Sequence, residues 1–181
     1  MIKAVRSETK YKGKAFSVRQ DQLQLPNGRI SKLDIVDHVG AVTIFPIDED
    51  GNVWFVEQYR HATGGELLEL PAGTLEDGEE PAACAQREIQ EEIGMAAGSM
   101  QKIGEFFMLP GYSTEYMHIY LATSLTPSEL PGDDDEFLRV ERVHITRVLE
   151  MAWENKFRDG KTLAALMLAL PYLDIPTDGV E

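Results

Sequence analysis

The stretch GTLEDGEEPAACAQREIQEEIGM, residues 73–95, decides the reading of this chain. Taken as a helix from Pro81 to Ile93, it sets Glu88, Glu91 and Glu92 at i, i+3 and i+4, on one face. Proline suits the first helical turn, and Gly94 suits the position just past the last one. Three carboxylates so close repel one another, by about 0.2–0.5 kcal/mol per exposed pair and more when partly buried. A hard divalent cation would relieve that repulsion and take the same oxygens as ligands. The opposite face carries Ala82, Ala85 and Ile89 at helical spacing, suited to rest on a sheet. The preceding loop turns at Asp77-Gly78 and brings backbone carbonyls near the helix. A lone Glu-x-x-Glu-Glu would be an ordinary solvated acidic helix. Here it sits inside a longer pattern with Gly73, Glu79, Arg87 and Gly94 at set distances.

Working outward, residues 40–47 form an apolar, β-rich run and residues 48–52 a polar turn. Residues 53–59 read as a strand with Trp54 and Phe55, and residues 66–70 as a short strand ended by Pro71. Beyond the helix, strands are expected over 103–109, 116–122 and 137–145, with an acidic loop over 128–136. Helices are expected over 146–157, with Thr146 as N-cap, and over 162–170. In the first forty residues, strands at 15–19, 23–25 and 29–36 surround an Asn27-Gly28 turn whose central positions favour positive φ. That segment has few large apolar side chains and reads as a small sheet that leans on something else. The order of elements predicts an α/β fold with helices on both sides of mixed sheets.

Composition narrows the class. The 181 residues carry 31 acidic and 17 basic side chains, a formal charge of −14, with 43% apolar residues. That is a globular composition, long enough to bury a core without disulfide or structural metal. The single cysteine, Cys84, excludes an intramolecular disulfide and a Cys-based zinc site, and reads as a small core residue. The acidic balance argues against a binder of nucleic-acid backbone, which needs clustered Lys and Arg. No export signal and no membrane-length apolar run is visible, so the expected setting is the cytoplasm.

Residues 73–95 resemble the Nudix box, Gly-x5-Glu-x7-Arg-Glu-U-x-Glu-Glu-x-Gly-U, with U a bulky apolar residue. Gly73, Glu79, Arg87, Glu88, Ile89, Glu91, Glu92, Gly94 and Met95 fill its positions. The resemblance implies an α/β/α sandwich with the box as loop–helix–loop. It also implies hydrolysis of a nucleoside diphosphate linked to another moiety, assisted by Mg2+ or Mn2+. Glu88, Glu91 and Glu92 would be the metal ligands, joined by the Ala72 carbonyl. Gly73, Glu79, Arg87 and Gly94 would be structural, with Glu79 and Arg87 an ion pair that fixes the loop against the helix.

Features outside the box resemble one branch, the ADP-ribose pyrophosphatases and related nucleotide-sugar hydrolases. They are Glu57-Gln58-Tyr59-Arg60, Glu69-Leu70-Pro71-Ala72-Gly73, and a proline fifteen positions after the box, Pro110. The run from Leu109 to Glu115 matches that branch except at Leu109, where serine is usual. The implied substrate contacts are Arg60, whose planar fork suits phosphate oxygens, with Pro110, Gly111 and Glu115. The acidic loop resembles the branch's mobile loop and puts Glu136 at the place of a catalytic glutamate, as general base; Glu91 or Glu92 is the rival base. ADP-ribose would yield AMP and ribose 5-phosphate; the alternatives are a broader nucleoside diphosphate sugar hydrolase acting on GDP-mannose, and a non-catalytic ADP-ribose sensor. The resemblance divides the chain into a β segment over 1–39, exchanged between subunits of a homodimer, and a catalytic domain over 40–181.

Overall fold

The computed structural model describes residues 1–132 and 137–173. The chain forms two compact units, one of Met1–Ala41 with Glu105–Met117, the other of Val42–Gly104 with His118–Glu181.

In the first unit, strands β1 (Lys3–Lys12), β2 (Ser17–Gln24) and β3 (Ile30–Asp37) make an antiparallel sheet in the order β1-β2-β3. All ten residues of β1 are exposed, so this strand gains little from burial here. The turn between β2 and β3 differs from expectation. Only Gly28 has positive φ, +82°, and its amide donates to the Leu25 carbonyl at 2.9 Å. Pro26 is the reason: its ring holds φ near −65° and forbids a turn with both central residues left-handed. Residues 109–114 are tied to β3, where the Val36 amide donates to the Tyr112 carbonyl at 2.7 Å and the Thr114 amide to the Val36 carbonyl at 3.0 Å. The His38 amide donates to Thr114 Oγ1 at 2.9 Å.

In the second unit the chain runs through β4 (Ala41–Pro46), β5 (Asn52–Arg60), β6 (Gly65–Glu69), β7 (Ala72–Thr74), α1 (Pro81–Ile93), β8 (Met95–Phe107), β9 (Tyr116–Pro127), β10 (Leu138–His144), α2 (Ile145–Trp153) and α3 (Gly160–Ala169). Two sheets form, in the orders β10-β5-β6 and β7-β4-β9-β8. Every residue of β4 is buried, as for a strand covered on both faces. The core joins Val42 and Ile44 of β4, Val56 of β5, Tyr120 and Ala122 of β9, and Cys84, Ala85, Ile89 and Ile93 of α1. Helix α1 therefore meets strands of both sheets. Behind β5, Phe55 stacks on Phe157 with centroids 5.4 Å apart. No helix among the described residues is long and apolar enough to cross a membrane.

The α/β class and the limits of α1 agree with expectation. Local readings change: β1 was not expected, the strands expected at 15–19 and 23–25 are one strand, β2, and α2 ends at Trp153 rather than at 157. Ala82 is exposed, because it stands in the first turn of α1, ahead of the buried stripe that runs through 84, 85, 88, 89, 92 and 93. Strand β8 begins at Met95, directly after the helix, rather than at 103. The N-cap of α2 is His144, whose side chain accepts from the Thr146 amide, so Thr146 is already inside the helix. An imidazole nitrogen can do what a hydroxyl does at that position.

Candidate active site

The box residues of the second unit converge on α1. Pro81 starts the helix with no side-chain cap, and Gly94, at φ 67°, ends it. The buried stripe carries two carboxylates beside its apolar residues, Glu88 at 9% exposure and Glu92 at 7%. Acids so placed need partners, since burying an unpaired charge is costly. Arg87 supplies most of them. Its Nε and Nη2 donate to the two oxygens of Glu79, both at 3.0 Å. Its Nη1 donates to Glu88 Oε1 at 2.7 Å and to Glu91 Oε2 at 2.8 Å. Glu92 Oε2 accepts the Ala72 amide at 3.0 Å. One guanidinium thus staples the loop to the helix through Glu79 and spans two carboxylates of the acidic face.

The electrostatic effects follow. Arg87 hydrogen bonds hold the Glu79 carboxyl well below its usual range, at about 2. Glu79 in turn pushes the Arg87 guanidinium further up. Burial pushes the Cys84 thiol up, so this cysteine is a packed core group rather than a nucleophile. Its Sγ lies 3.7 Å from the Thr74 carbonyl and 3.4 Å from Arg87 Nη2.

The loop side is equally confined. A Cβ added at Gly73 would lie 1.9 Å from the Glu88 carboxylate. Only glycine lets that carboxylate lie against the backbone. Among the described residues no three acidic, histidine or cysteine side chains are gathered into a ready-made cage. The donor set nonetheless fits a hard cation. Three box carboxylates share one guanidinium, a fourth, Glu92, lies on the Ala72 amide, oxygen is the donor, and Gly73 leaves a cradle that any side chain would fill. Glu88, Glu91, Glu92 and the Ala72 carbonyl are the groups that would hold it.

Arg60, at the end of β5, donates through Nε and Nη2 to the two oxygens of Glu69 at 2.8 and 2.7 Å. Glu69 is 2% exposed, while 39% of the Arg60 side chain stays open. That leaves the remaining guanidinium N–H groups as donors. Burial pushes the Glu69 carboxyl up, but its bonds to Arg60 and Lys161 outweigh burial and bring it below its ordinary range. The Glu69 carboxylate and, more weakly, Glu92 and Asp159 hold the Arg60 guanidinium up. Pro110, Gly111 and Glu115 belong to the first unit, where the Glu115 amide donates to Ser113 Oγ at 3.1 Å. Glu136 lies outside the described residues. Sequence reasoning missed the Glu69–Lys161 pair, and with it Asp159, which accepts from Lys161 and Thr162. The helix was expected from 162, whereas α3 starts at Gly160 with Asp159 as its N-cap, and nothing in that run pointed to a strand ninety residues away.

Comparison with known proteins supplies the family. The NUDIX domain model matches residues 37–166. The ADP-ribose pyrophosphatase of Bacillus subtilis (strain 168) is 36% identical over 166 residues, 91% of this chain and 90% of its own. The GDP-mannose pyrophosphatase of Salmonella arizonae is 36% identical over 152 residues, 77% of this chain and 79% of its own. A crystal structure of an ADP compounds hydrolase superposes with a TM-score of 0.84 at 25% identity, covering 95% of this chain and 94% of that one. With every fixed position of the box filled and carried on the loop and helix it requires, this chain belongs to the Nudix family.

Proposed function

We propose that this protein hydrolyses the diphosphate linkage of ADP-ribose to AMP and ribose 5-phosphate, with Mg2+ or Mn2+ as cofactor. The observation that carries the reading is the Glu88 carboxylate, buried against Gly73 and bridged by Arg87 to Glu91. The Bacillus subtilis relative carries the name of this activity over nearly its whole length. Bound cations would neutralise charge on the diphosphate oxygens as the bond to the leaving phosphate breaks. Glu88, Glu91, Glu92 and the Ala72 carbonyl would hold them. Arg60 orients a phosphate through the N–H groups that Glu69 leaves open. The family resemblance assigns substrate contacts to Pro110, Gly111 and Glu115, and the proton of the attacking water to Glu136.

A second reading, hydrolysis of other nucleoside diphosphate sugars, is favoured by the similarity to the Salmonella arizonae GDP-mannose enzyme. One panel separates the two: purified protein with Mg2+ and ADP-ribose, GDP-mannose or UDP-glucose, with products identified by mass. Cleavage of ADP-ribose at least tenfold faster than the rest supports the first reading; comparable rates support the second. Glu92→Gln is expected to lower kcat by orders of magnitude and to weaken Mn2+ binding. Full metal-dependent activity in that variant would overturn the ligand assignment. The assembly we propose is a homodimer through the β1–β3 sheet. Its support is the exposed apolar set Val5, Tyr11, Phe16, Ile30 and Leu33.

A further inference from the structure

The chain from Glu69 to Gly73 is held at every residue. Glu69 is paired with Arg60 and, through a short contact, with Lys161. The Leu70 amide donates to Thr162 Oγ1 at 2.9 Å. The Pro71 carbonyl accepts the Ile44 amide at 2.9 Å. The Ala72 amide donates to Glu92 at 3.0 Å, and Gly73 lies against the Glu88 carboxylate. Those on Ala72 and Gly73 come from the box helix, and that on Pro71 from β4. The start of α3 supplies the one on Leu70 and shares that on Glu69 with Arg60 of β5.

That start is built around Asp159. Its Oδ2 caps α3 by accepting the Thr162 amide at 3.0 Å, and also accepts Thr162 Oγ1 at 2.6 Å and Lys161 Nζ at 3.0 Å. Because the Thr162 hydroxyl spends its proton on Asp159, its lone pairs are left for the Leu70 N–H. Thr162 is 1% exposed, so water cannot replace it there. The path from Leu70 to Ala72 is stiff. Pro71 has a locked φ and restricts Leu70 before it. A shift at the Leu70 amide therefore passes to the Ala72 carbonyl instead of being absorbed.

We propose that Thr162, oriented by Asp159, is a positioning residue for the cation site, fixing through the Leu70 amide the place of the Ala72 carbonyl. Lys161 supports it by bridging Asp159 and Glu69. This rests on the reading of Ala72, Glu88, Glu91 and Glu92 as the groups that hold the cation. It gives α3, which carries no box residue, a part in metal binding.

The test compares wild type, Thr162→Val, Thr162→Ser and Glu92→Gln, each checked by thermal unfolding and titrated with Mn2+ by calorimetry or electron paramagnetic resonance. Valine keeps the shape and removes the hydroxyl. Thr162→Val is expected to bind Mn2+ about 10-fold or more weakly, the usual scale for groups behind a metal ligand. Its Mg2+ requirement for turnover should rise with it, while KM at saturating Mg2+ stays within twofold. Thr162→Ser should restore Mn2+ affinity even if its melting temperature remains below wild type, a rescue that a purely structural role would not give. Wild-type Mn2+ affinity in a folded Thr162→Val protein overturns the inference, as does equal loss in the serine variant. If Thr162→Val does not fold, Asp159→Asn, which leaves the hydroxyl but weakens its orientation, must show the same loss of Mn2+ affinity or the inference fails. Unchanged Mn2+ affinity in Glu92→Gln would instead refute the ligand assignment, so the two failures are told apart.

Discussion

At Gly73 the backbone and a buried carboxylate occupy the space where another residue would keep its side chain. The Glu88 carboxylate stands within 1.9 Å of the position a Cβ would take, and Arg87 holds it there at 2.7 Å. Gly73→Ala should therefore displace Glu88 without unfolding the domain, since the obstacle is the end of a side chain. The expected result is Mn2+ binding and kcat lowered roughly 10–100-fold, with a small change in melting temperature. Wild-type Mn2+ affinity in this variant would show that Glu88 holds no cation. The need for glycine here was legible as a pattern position. Its physical cause was not, because the two groups are fifteen residues apart and only the fold presses them together.

At the scale of elements, the bidentate Glu79–Arg87 pair joins the loop to α1. Its pH dependence has a definite sign. The Glu79 carboxyl titrates at about 2 in the folded protein against an ordinary 4.5. A carboxylate with a depressed folded value binds protons more readily when unfolded. Its contribution is thus fully present above about pH 4.5 and is lost as pH falls from there through about 2. Glu79→Gln should melt below wild type at pH 7, and the gap should close as the pH approaches 2. Melting curves of both proteins from pH 7 to 2.5 check this; a constant gap would mean that the ionisation of Glu79 does not stabilise the folded state. The helix itself was legible from its ends, proline first and glycine last. The burial of Glu88 and Glu92 within its apolar stripe was not, since periodicity alone assigns acids to the wet side.

For the whole molecule, the two units differ in how they are stabilised. The second has a core drawn from both sheets and α1. The first presents a sheet whose edge strand is wholly exposed, with Ile30 at 53% and Leu33 at 42% exposure on β3. Exposed edges and apolar patches invite pairing. The dimer proposed above should run at twice the 20.3 kDa chain mass in light scattering at micromolar concentration. Ile30→Asp with Leu33→Asp should reduce it to the single-chain mass. A wild-type mass of one chain would dispose of the dimer.

What the sequence determined by itself was local and periodic. The box spacing, the limits of α1 and the α/β class follow from steric and hydrophobic rules that act over a few residues. Tertiary structure decided what depends on groups far apart in the chain. It set Arg87 across Glu79, Glu88 and Glu91, closed Gly73 onto Glu88, and occupied part of Arg60 with Glu69. It also brought Thr162 to the Leu70 amide, ninety-two positions away. No sequence period encodes that last contact. It exists because a buried amide must find an acceptor, and the fold brings one to it from a helix start.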